Sequence, residues 1–187
     1  MATFSYYIQL IQRGKGRSAV AAAAYRAGER IFSAYDNRTY DYSHKGDIIH
    51  KEVLLPDHAP GEYIDRATLW NTVEHMNSSR SAWLAWELQL GLPEALPQEQ
   101  NVALACEYVR QNFVAVGMCA DVCIHDKKNG NPHAHIMLPM RPIKADGTWD
   151  ICWMAPGTEE RWRAAWAGIA TRYHTHYSKK REEPMNE

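Results

Sequence analysis

Three histidines lie close together between residues 120 and 138, in a pattern that suits metal binding. His133 and His135 are two positions apart in a segment of alternating apolar residues, so in a β-strand their side chains point to the same face. His125 ends an earlier segment of the same kind, and Asn129-Gly130 between the two segments is a turn signal. The sequence therefore predicts a β-hairpin that carries three imidazole groups.

The length of the hairpin loop decides whether the three histidines share one face. A strict two-residue turn would pair His125 with Ala134, which points away from the other two histidines. A loop with an odd number of residues, or a bulge, places His125 opposite His133 or His135 instead. The apolar alternation of both strands favours the odd loop, so we expect the three imidazoles to converge on one patch.

Three converging histidines indicate a divalent metal site, whereas a structural histidine is usually single and finds one hydrogen-bond partner. An open set of three imidazoles is how proteins hold a catalytic ion that must also contact its substrate. The ligands do not choose the metal, because imidazole suits zinc, nickel and other divalent ions. Oxygen atoms of a phosphate substrate would complete the coordination.

Length and composition restrict the possible classes of protein. The chain has 187 residues, of which 45% are hydrophobic, which is enough for one core and short for two. We therefore predict a single domain over residues 1–187. No run of about 18 apolar residues and no hydrophobic signal segment is present, so a cytoplasmic location without a membrane partner is the expectation. The cysteines lack CxxC spacing and are predicted to be buried free thiols: Cys106, Cys119, Cys123 and Cys152.

The charge is unevenly distributed, although the net charge of −1 does not by itself suggest a nucleic-acid partner. Residues 1–51 contain 8 Lys/Arg against 4 Asp/Glu, whereas residues 52–117 contain 3 against 9. A basic N-terminal third could follow a nucleic-acid backbone. Within it, Arg13, Lys15 and Arg17 belong to a glycine-rich loop and are predicted to bind DNA.

Hydrophobic periodicity and capping signals predict a mixture of strands and helices around the histidine hairpin. Further strands are predicted at residues 3–12 and 83–92, and a hairpin or a pair of strands at residues 35–55. Helices are predicted at residues 19–30, 60–77, 97–116 and 158–180. No internal repeat or interdomain linker is visible.

Two residues outside the hairpin lie where they could join the histidines. Tyr25 is near the middle of the alanine-rich helix, whose small side chains let it lie close against a surface. By composition alone, a tyrosine in a helix is a packing residue. Glu87 faces away from the apolar side of its strand, and it lies on the histidine side if that apolar side is shared with Ile124 and Ile136.

Several of these segments together resemble the MobA/MobL family of plasmid relaxases. They are Ser18 through Glu29, Tyr40-Asp41-Tyr42, His50 through Pro56, and Gly130 through Met137, in the order found in the family. The resemblance spans about residues 3–150. It implies that Tyr25 is the nucleophile, that His125, His133 and His135 form the metal-binding HUH motif, and that Glu87 is a catalytic acidic residue. Gln89 stands where a second glutamate is common in the family, and Arg26, next to Tyr25, is a further predicted DNA contact.

The resemblance also implies a fold and an activity. The fold is α+β, an antiparallel sheet of about five strands with helices packed on it. The activity is nicking and religation of one DNA strand at a plasmid origin of transfer, through a covalent 5′-phosphotyrosine. The implied ion is Mn²⁺ or Mg²⁺, with Zn²⁺ or Ni²⁺ as alternatives. The implied partners are single-stranded DNA, accessory relaxosome proteins and a type IV secretion coupling protein, and such a domain can be the N-terminal part of a longer protein.

Two other hypotheses remain open from the residues. In the first, the histidines precede the nucleophile, as in rolling-circle replication initiators, with Tyr177 as the nucleophile and Lys180 downstream. In the second, the domain is a non-catalytic DNA-binding module whose histidines bind a structural metal. An open set of three ligands argues against the second hypothesis, because structural zinc sites normally have four ligands.

Overall fold

A computed structural model describes residues 4–151 and 157–182 of the chain. The strands in this part of the chain are β1 (Tyr6–Gln12), β2 (Arg30–Ser33), β3 (Arg38–Asp41), β4 (Ile48–Leu54), β5 (Trp83–Gly91), β6 (Ala120–His125) and β7 (His133–Pro139). The α-helices are α1 (Ala19–Ala27), α2 (Arg66–Met76), α3 (Gln98–Asn112) and α4 (Thr158–Glu182). Short 3-10 turns occupy Arg13–Lys15, Gly61–Ile64 and Val114–Val116.

Five strands form one antiparallel sheet in the order β1-β5-β7-β6-β4, and β2 and β3 form a separate hairpin. The predicted α+β fold with a five-stranded antiparallel sheet is therefore confirmed. The histidine strand β7 is the central strand, and β6 is its neighbour. The sheet consequently holds the predicted metal ligands at its middle.

One face of the sheet is packed by α3 and α4. Its core is almost entirely apolar: on the strands it includes Trp86, Leu88, Leu90, Val122, Ile124, Ala134, Ile136 and Leu138, and on the helices Leu104, Tyr108, Val109, Trp166 and Ile169. Strict alternation along each strand produces this face, as the sequence pattern predicts. We call it the apolar face.

The opposite face carries the histidines, and we call it the histidine face. Helices α1 and α2 cover part of it through a second apolar cluster that includes the α1 alanines, Leu69, Trp70 and Met137. Beneath α2 the carboxylate of Asp121 accepts hydrogen bonds from the Arg66 guanidinium at 2.8–3.0 Å and from Trp70 Nε1 at 2.8 Å. A buried charge therefore has partners on this face, which fixes α2 against the sheet.

Helix α1 begins and ends where local chemistry requires it. The Ser18 side chain accepts a hydrogen bond from Ala21 N and caps the helix, as predicted. The helix ends at Ala27 because Gly28 adopts a left-handed conformation with φ +60. The prediction that the helix continues to residue 30 is therefore wrong. Arg30 instead begins β2, whose short length made it invisible in the sequence pattern.

The region 35–55 also departs from one of its predictions. Two strands occur there, but they belong to different sheets: β3 pairs with β2, and β4 pairs with β6. Of the two predicted alternatives, the pair of strands is confirmed and the hairpin is wrong, because β4 forms the edge of the main sheet beside β6. The helices predicted at 60–77 and 97–116 are shorter than expected, since a separate 3-10 turn precedes the first and another follows the second.

Three of the cysteines, Cys106, Cys119 and Cys123, are buried free thiols, as predicted. Cys152 lies outside the described residues. In residues 4–151 and 157–182, every helix is too short or too polar to serve as a membrane span.

Candidate active site

The histidine hairpin has the odd-length loop that the sequence favours. Residues 126–132 connect the two strands, and His125 pairs directly with His133. One ligand atom from each of the three histidines lies within 4.8 Å of the others, and the ring centroids are 4.8–5.5 Å apart. The structure thus brings together the three histidines that the sequence predicts as metal ligands.

Burial keeps two of these imidazoles neutral. His125 is 3% exposed and His135 is 6% exposed. Burial lowers the pKa of His125 to about 4, although its hydrogen bond with the carbonyl of Arg26 opposes the shift. Burial also lowers the pKa of His135, with Glu87 opposing it. A neutral imidazole is the form that binds a metal, so the two rings are ready to bind at neutral pH.

Backbone carbonyls fix the orientation of two of the rings. His125 Nε2 lies 2.6 Å from the carbonyl oxygen of Arg26, and His133 Nδ1 lies 2.9 Å from the carbonyl oxygen of Asn131. A carbonyl oxygen can only accept, so each of these nitrogens carries the proton and the other ring nitrogen keeps a lone pair. This is the usual environment of a metal-binding histidine.

His135 has a carboxylate rather than a carbonyl beside it. Its Nδ1 atom is buried and lacks a partner with hydrogen-bond geometry, but it lies 3.4 Å from Glu87 Oε1. The contact is therefore electrostatic, and a small rotation of the ring would complete the hydrogen bond. A neutral, buried three-imidazole cluster with a carboxylate behind one ring fits a divalent ion.

Glu87 is surrounded by donors and is 2% exposed. Its carboxylate accepts a hydrogen bond from Arg26 Nε, from Arg17 Nη2 at 3.2 Å and from Gln9 Nε2 at 2.8 Å. Burial raises the pKa of Glu87, but the contacts with His135 and Arg26 outweigh burial, and the net pKa is well below its usual range. Because such a carboxylate is a weak proton acceptor, this environment favours a role in positioning His135 over a role as general base.

Arg26 connects helix α1 to the histidine cluster in two ways. Its backbone carbonyl contacts His125, and its guanidinium contacts Glu87. Arg26 is predicted as a DNA contact, but in the structure its guanidinium pairs with Glu87 inside the protein. Neither role was visible in the sequence, because both depend on how α1 docks on the sheet.

Tyr25 immediately precedes Arg26 and so lies at the end of α1 that reaches the histidines. Its side chain is 42% exposed, which leaves it accessible to a substrate. The ring of Tyr42 packs edge-on against it with centroids 5.1 Å apart, and Lys45 Nζ lies 3.7 Å from the centroid of the Tyr25 ring. Lys45 lies in the loop before β4, where no sequence motif indicates a role for it.

The predicted basic loop, residues 13–17, is only partly available to a ligand. The Arg13 guanidinium is 3.6 Å from Glu74 Oε2, donates to backbone carbonyls near the end of α2, and stacks on Tyr35. The Arg17 guanidinium forms an ion pair with the Glu87 carboxylate at 3.2 Å. Lys15 is exposed. The structure therefore presents Lys15 to solvent and uses the two arginines largely for internal contacts.

Tyr177, the alternative nucleophile, lies on α4 and packs against the core of the apolar face. It is separated from the histidines by the sheet itself. This placement disfavours the arrangement in which the nucleophile follows the histidine cluster.

Curated relatives of this chain have names related to conjugation. A probable conjugal transfer protein TraA of Sinorhizobium fredii (strain NBRC 101917 / NGR234) is 37% identical over 158 residues, which cover 79% of this chain and 14% of that protein. A mobilization protein MobL of Acidithiobacillus ferridurans is 36% identical over 173 residues, which cover 79% of this chain and 45% of that protein. The chain thus spans less than half the length of these relatives.

Two solved structures share the fold, and one family profile covers most of the chain. A structure described under "Molecular Basis of Vancomycin Resistance Transfer in Staphylococcus aureus" superposes with a TM-score of 0.87, at 26% identity, over 94% of both chains. The conjugative relaxase TrwC, in a metal-bound complex with oriT DNA, superposes with a TM-score of 0.59 at 10% identity, over 97% of this chain and 72% of TrwC, which shows a common fold. The profile of the MobA/MobL family matches residues 17–182, so this chain belongs to the MobA/MobL family.

Proposed function

We propose that this domain nicks and religates one strand of DNA at a plasmid origin of transfer, with Tyr25 as the nucleophile. The observation that carries the proposal is the contact between His125 Nε2 and the carbonyl oxygen of Arg26, which attaches the helix end bearing Tyr25 to the three-histidine cluster. The names of the relatives, which refer to conjugal transfer and mobilization, support the same role.

The chemistry is an exchange of esters. The Tyr25 oxygen attacks the scissile phosphorus, a tyrosine–phosphate bond forms, and the bond to the 3′ oxygen breaks. The Tyr25 hydroxyl gives up its proton in this step and the departing 3′ oxygen takes one up, so the products are a 5′-phosphotyrosine and a free 3′-hydroxyl. Because one phosphodiester replaces another, religation by the reverse step needs no ATP.

The proposed metal ligands are His125, His133 and His135. A divalent ion bound there would neutralise charge that develops on the scissile phosphate. Mn²⁺ and Mg²⁺ are the first candidates, with Zn²⁺ and Ni²⁺ as alternatives. Glu87 positions His135, and Arg26 balances the charge of Glu87. Lys45, beside the Tyr25 ring, supplies a positive charge near the attacking oxygen and would attract the phosphate.

A structural-metal module is less consistent with this site. A structural zinc site is closed by four protein ligands, whereas the cluster here offers three histidines, one of them partly exposed, beside an accessible tyrosine. The open position suits a substrate oxygen.

The proposed path of the single-stranded DNA crosses the histidine face from β1. Tyr7 is 65% exposed and pairs with Gln89, which in turn pairs with His135, so Tyr7 lies in the same row across the sheet as a metal ligand. An exposed aromatic ring is a stacking platform for a base. Lys15 adds a charge for the backbone. We expect Tyr7→Leu to weaken oligonucleotide binding and Lys15→Gln to reduce its salt dependence, whereas the internally engaged Arg13 should contribute less.

The proposed domain comprises residues 1–187, and the packing of both apolar clusters on one sheet within residues 4–151 and 157–182 supports it. The domain would work in the cytoplasm with accessory relaxosome proteins and a type IV secretion coupling protein. Where the relatives are longer, the additional segments would carry further activities.

The decisive experiment is a covalent-adduct assay with a single-stranded oligonucleotide that contains the origin of transfer. Tyr25→Phe removes only a hydroxyl, so we expect the adduct to disappear while calorimetry shows unchanged metal affinity. Tyr177→Phe is the matched control and should form the adduct normally. An adduct that survives in Tyr25→Phe and vanishes in Tyr177→Phe would overturn the assignment.

A further inference from the structure

A second group of metal-ligand side chains lies on the apolar-face side of the sheet. His50 and Glu52 are two positions apart on β4, so their side chains project from the same side of the strand, and Cys106 reaches them from α3. One ligand atom from each lies within 4.8 Å of the others. Lys51, between them, points to the other face, where its Nζ atom contacts the carbonyl of Ala27 at 3.2 Å. We call the three residues the β4–α3 cluster.

The distances in the β4–α3 cluster are close to those of a zinc site. Glu52 Oε2 is 3.2 Å from His50 Nε2 and 3.6 Å from Cys106 Sγ. With usual zinc–ligand bond lengths and tetrahedral angles, the oxygen–nitrogen separation is about 3.4 Å and the oxygen–sulfur separation about 3.6 Å. The two separations from Glu52 therefore match a zinc site to within a few tenths of an ångström, and the His50 and Cys106 ligand atoms lie within 4.8 Å of each other.

The surroundings permit an ion to enter and to be retained. The side chains of His50 and Glu52 are 27% and 37% exposed, so solvent reaches the cluster, while Cys106 is 4% exposed and is anchored in the core. The second oxygen of Glu52 lies 3.7 Å from Arg110 Nη2, which holds the carboxylate in place. Three protein ligands leave a fourth position for water, so this site, like the three-histidine cluster, is open and is not a closed zinc centre with four protein ligands.

We propose that His50, Glu52 and Cys106 form a second divalent-metal site, selective for a thiophilic ion such as Zn²⁺, that ties edge strand β4 to helix α3. Binding breaks the sulfur–hydrogen bond of Cys106, forms a sulfur–metal bond and releases the proton to the buffer. Burial, and then the charge of Glu52, raise the pKa of the Cys106 thiol to about 11, so without an ion the thiol is protonated. The site differs from the three-histidine cluster because it contains sulfur.

The location gives the site a structural consequence. β4 is an edge strand with a bulge between Ile48 and His50, and Ile48 pairs with His125. An ion bound by His50 would therefore stabilise the irregular end of β4 beside the strand that carries a ligand of the candidate active site.

Cobalt spectroscopy can test the β4–α3 cluster independently of DNA cleavage. Co²⁺ bound to a thiolate gives a sulfur-to-cobalt charge-transfer band in the near ultraviolet, which an all-histidine site cannot give. We expect the band on titrating the full chain with Co²⁺ and its displacement by Zn²⁺. Cys106→Ser should abolish it. Cys119→Ser removes a buried thiol outside the cluster and should retain it.

Two further variants distinguish the β4–α3 cluster from the three-histidine cluster. They also keep the test valid if Cys106→Ser, which changes a core residue, folds poorly. His50→Ala changes a partly exposed side chain and should weaken Co²⁺ binding, read from this band, at least about tenfold. His133→Ala with His135→Ala should leave the band unchanged. The proposal would be overturned if the unmodified chain lacked the band, if Cys106→Ser retained it, or if His50→Ala bound Co²⁺ with unaltered affinity. None of these results would affect the proposed nicking activity.

Discussion

The two faces of the sheet solve different problems with the same strands. On β7, Ala134, Ile136 and Leu138 point into the apolar core under α3 and α4, while His133 and His135 point to the opposite side. The apolar face is held mainly by packing of apolar side chains, and its polar β4–α3 cluster lies at the edge strand β4. The histidine face buries titratable groups, and these must be satisfied by charged partners. Alternation along a strand therefore lets packing and chemistry be set by separate residues.

The buried carboxylates of the histidine face explain why several arginines are unavailable to a ligand. Glu87 and Asp121 are each 2% exposed on the histidine face. Arg17 and Arg26 contact the first, and Arg66 contacts the second. On the apolar side the strand carboxylate Glu52 pairs with Arg110, but it is 37% exposed at the sheet edge rather than buried. Arg17 and Arg26, both in the basic N-terminal third, thus serve the internal electrostatics of the site.

The largest effect is expected when the metal ligands of the histidine face are removed and the apolar face is left unchanged. His133→Ala combined with His135→Ala should abolish high-affinity binding of Mn²⁺ at the candidate active site, because one remaining imidazole cannot hold the ion. The fold should remain, since both side chains lie outside the apolar core. Calorimetry measures the loss, and far-ultraviolet circular dichroism checks the fold.

A matched control exists on the last helix. His174 and His176 repeat the same two-residue spacing, but on a helix this spacing does not place them side by side. Their double alanine variant should bind Mn²⁺ normally. Undiminished affinity in the His133 and His135 variant would remove the metal-site hypothesis.

A substitution on the apolar face should instead lower stability and leave the chemistry of the histidine face unchanged. Ile136 is fully buried on β7, and Ile136→Ala should lower the free energy of unfolding by about 2–5 kcal/mol, because a cavity replaces the lost side chain. Urea denaturation measures the change. The adduct formed per folded molecule should stay the same, and a selective loss of adduct would show that the two faces are not independent.

A more moderate effect is expected at the junction between the histidines and their support. Glu87→Gln keeps the size of the side chain but removes the charge beside His135 and between two arginines. We expect metal affinity to fall about 10–100-fold, as is usual when a residue that orients a metal ligand is changed. Glu107→Gln is the control, since Glu107 pairs with Arg172 on the surface of the apolar side. Equal metal affinities in both variants would contradict a positioning role for Glu87.

The smallest effect concerns pH. The pKa of His125 is about 4 in the fold and about 6.5 in an unfolded chain. Between these values the unfolded chain binds a proton that the folded chain does not, so stability is full above about pH 6.5 and falls as the pH decreases to about 4. We expect His125 to contribute about 1–3 kcal/mol to this decrease in the metal-free protein. Urea denaturation at several pH values should show that the free energy of unfolding changes less steeply with pH in His125→Gln than in the unmodified chain. An equally steep change in both would contradict this contribution of His125.

The alternation of apolar residues along the strands and the odd number of residues in the hairpin loop were sufficient to predict the sheet and the convergence of the histidines. Each histidine sits on a strand whose apolar residues fix its face, so local sequence determines the result. The contacts of Glu87 with Arg17 and Arg26 could not be predicted, because they join residues about sixty to seventy positions apart. The short strand β2 was missed because its four residues follow a strong helix pattern. Long-range docking, rather than local preference, determines these features.

The central position of β7 has a consequence for motion. β7 is hydrogen-bonded on both sides, by β5 and β6, so its amide hydrogens should exchange with solvent only through global unfolding. Tyr25 instead lies on α1, a helix of nine residues outside the sheet, held at its start by hydrogen bonds from Ser18 Oγ and Val20 N to Glu74. Faster exchange is expected in α1 than in β7. Faster exchange in α1 would place Tyr25 and the ligands on β7 in different cooperative units, so an attached strand could move away from the ion when the contact between Arg26 and His125 opens and the sheet stays folded.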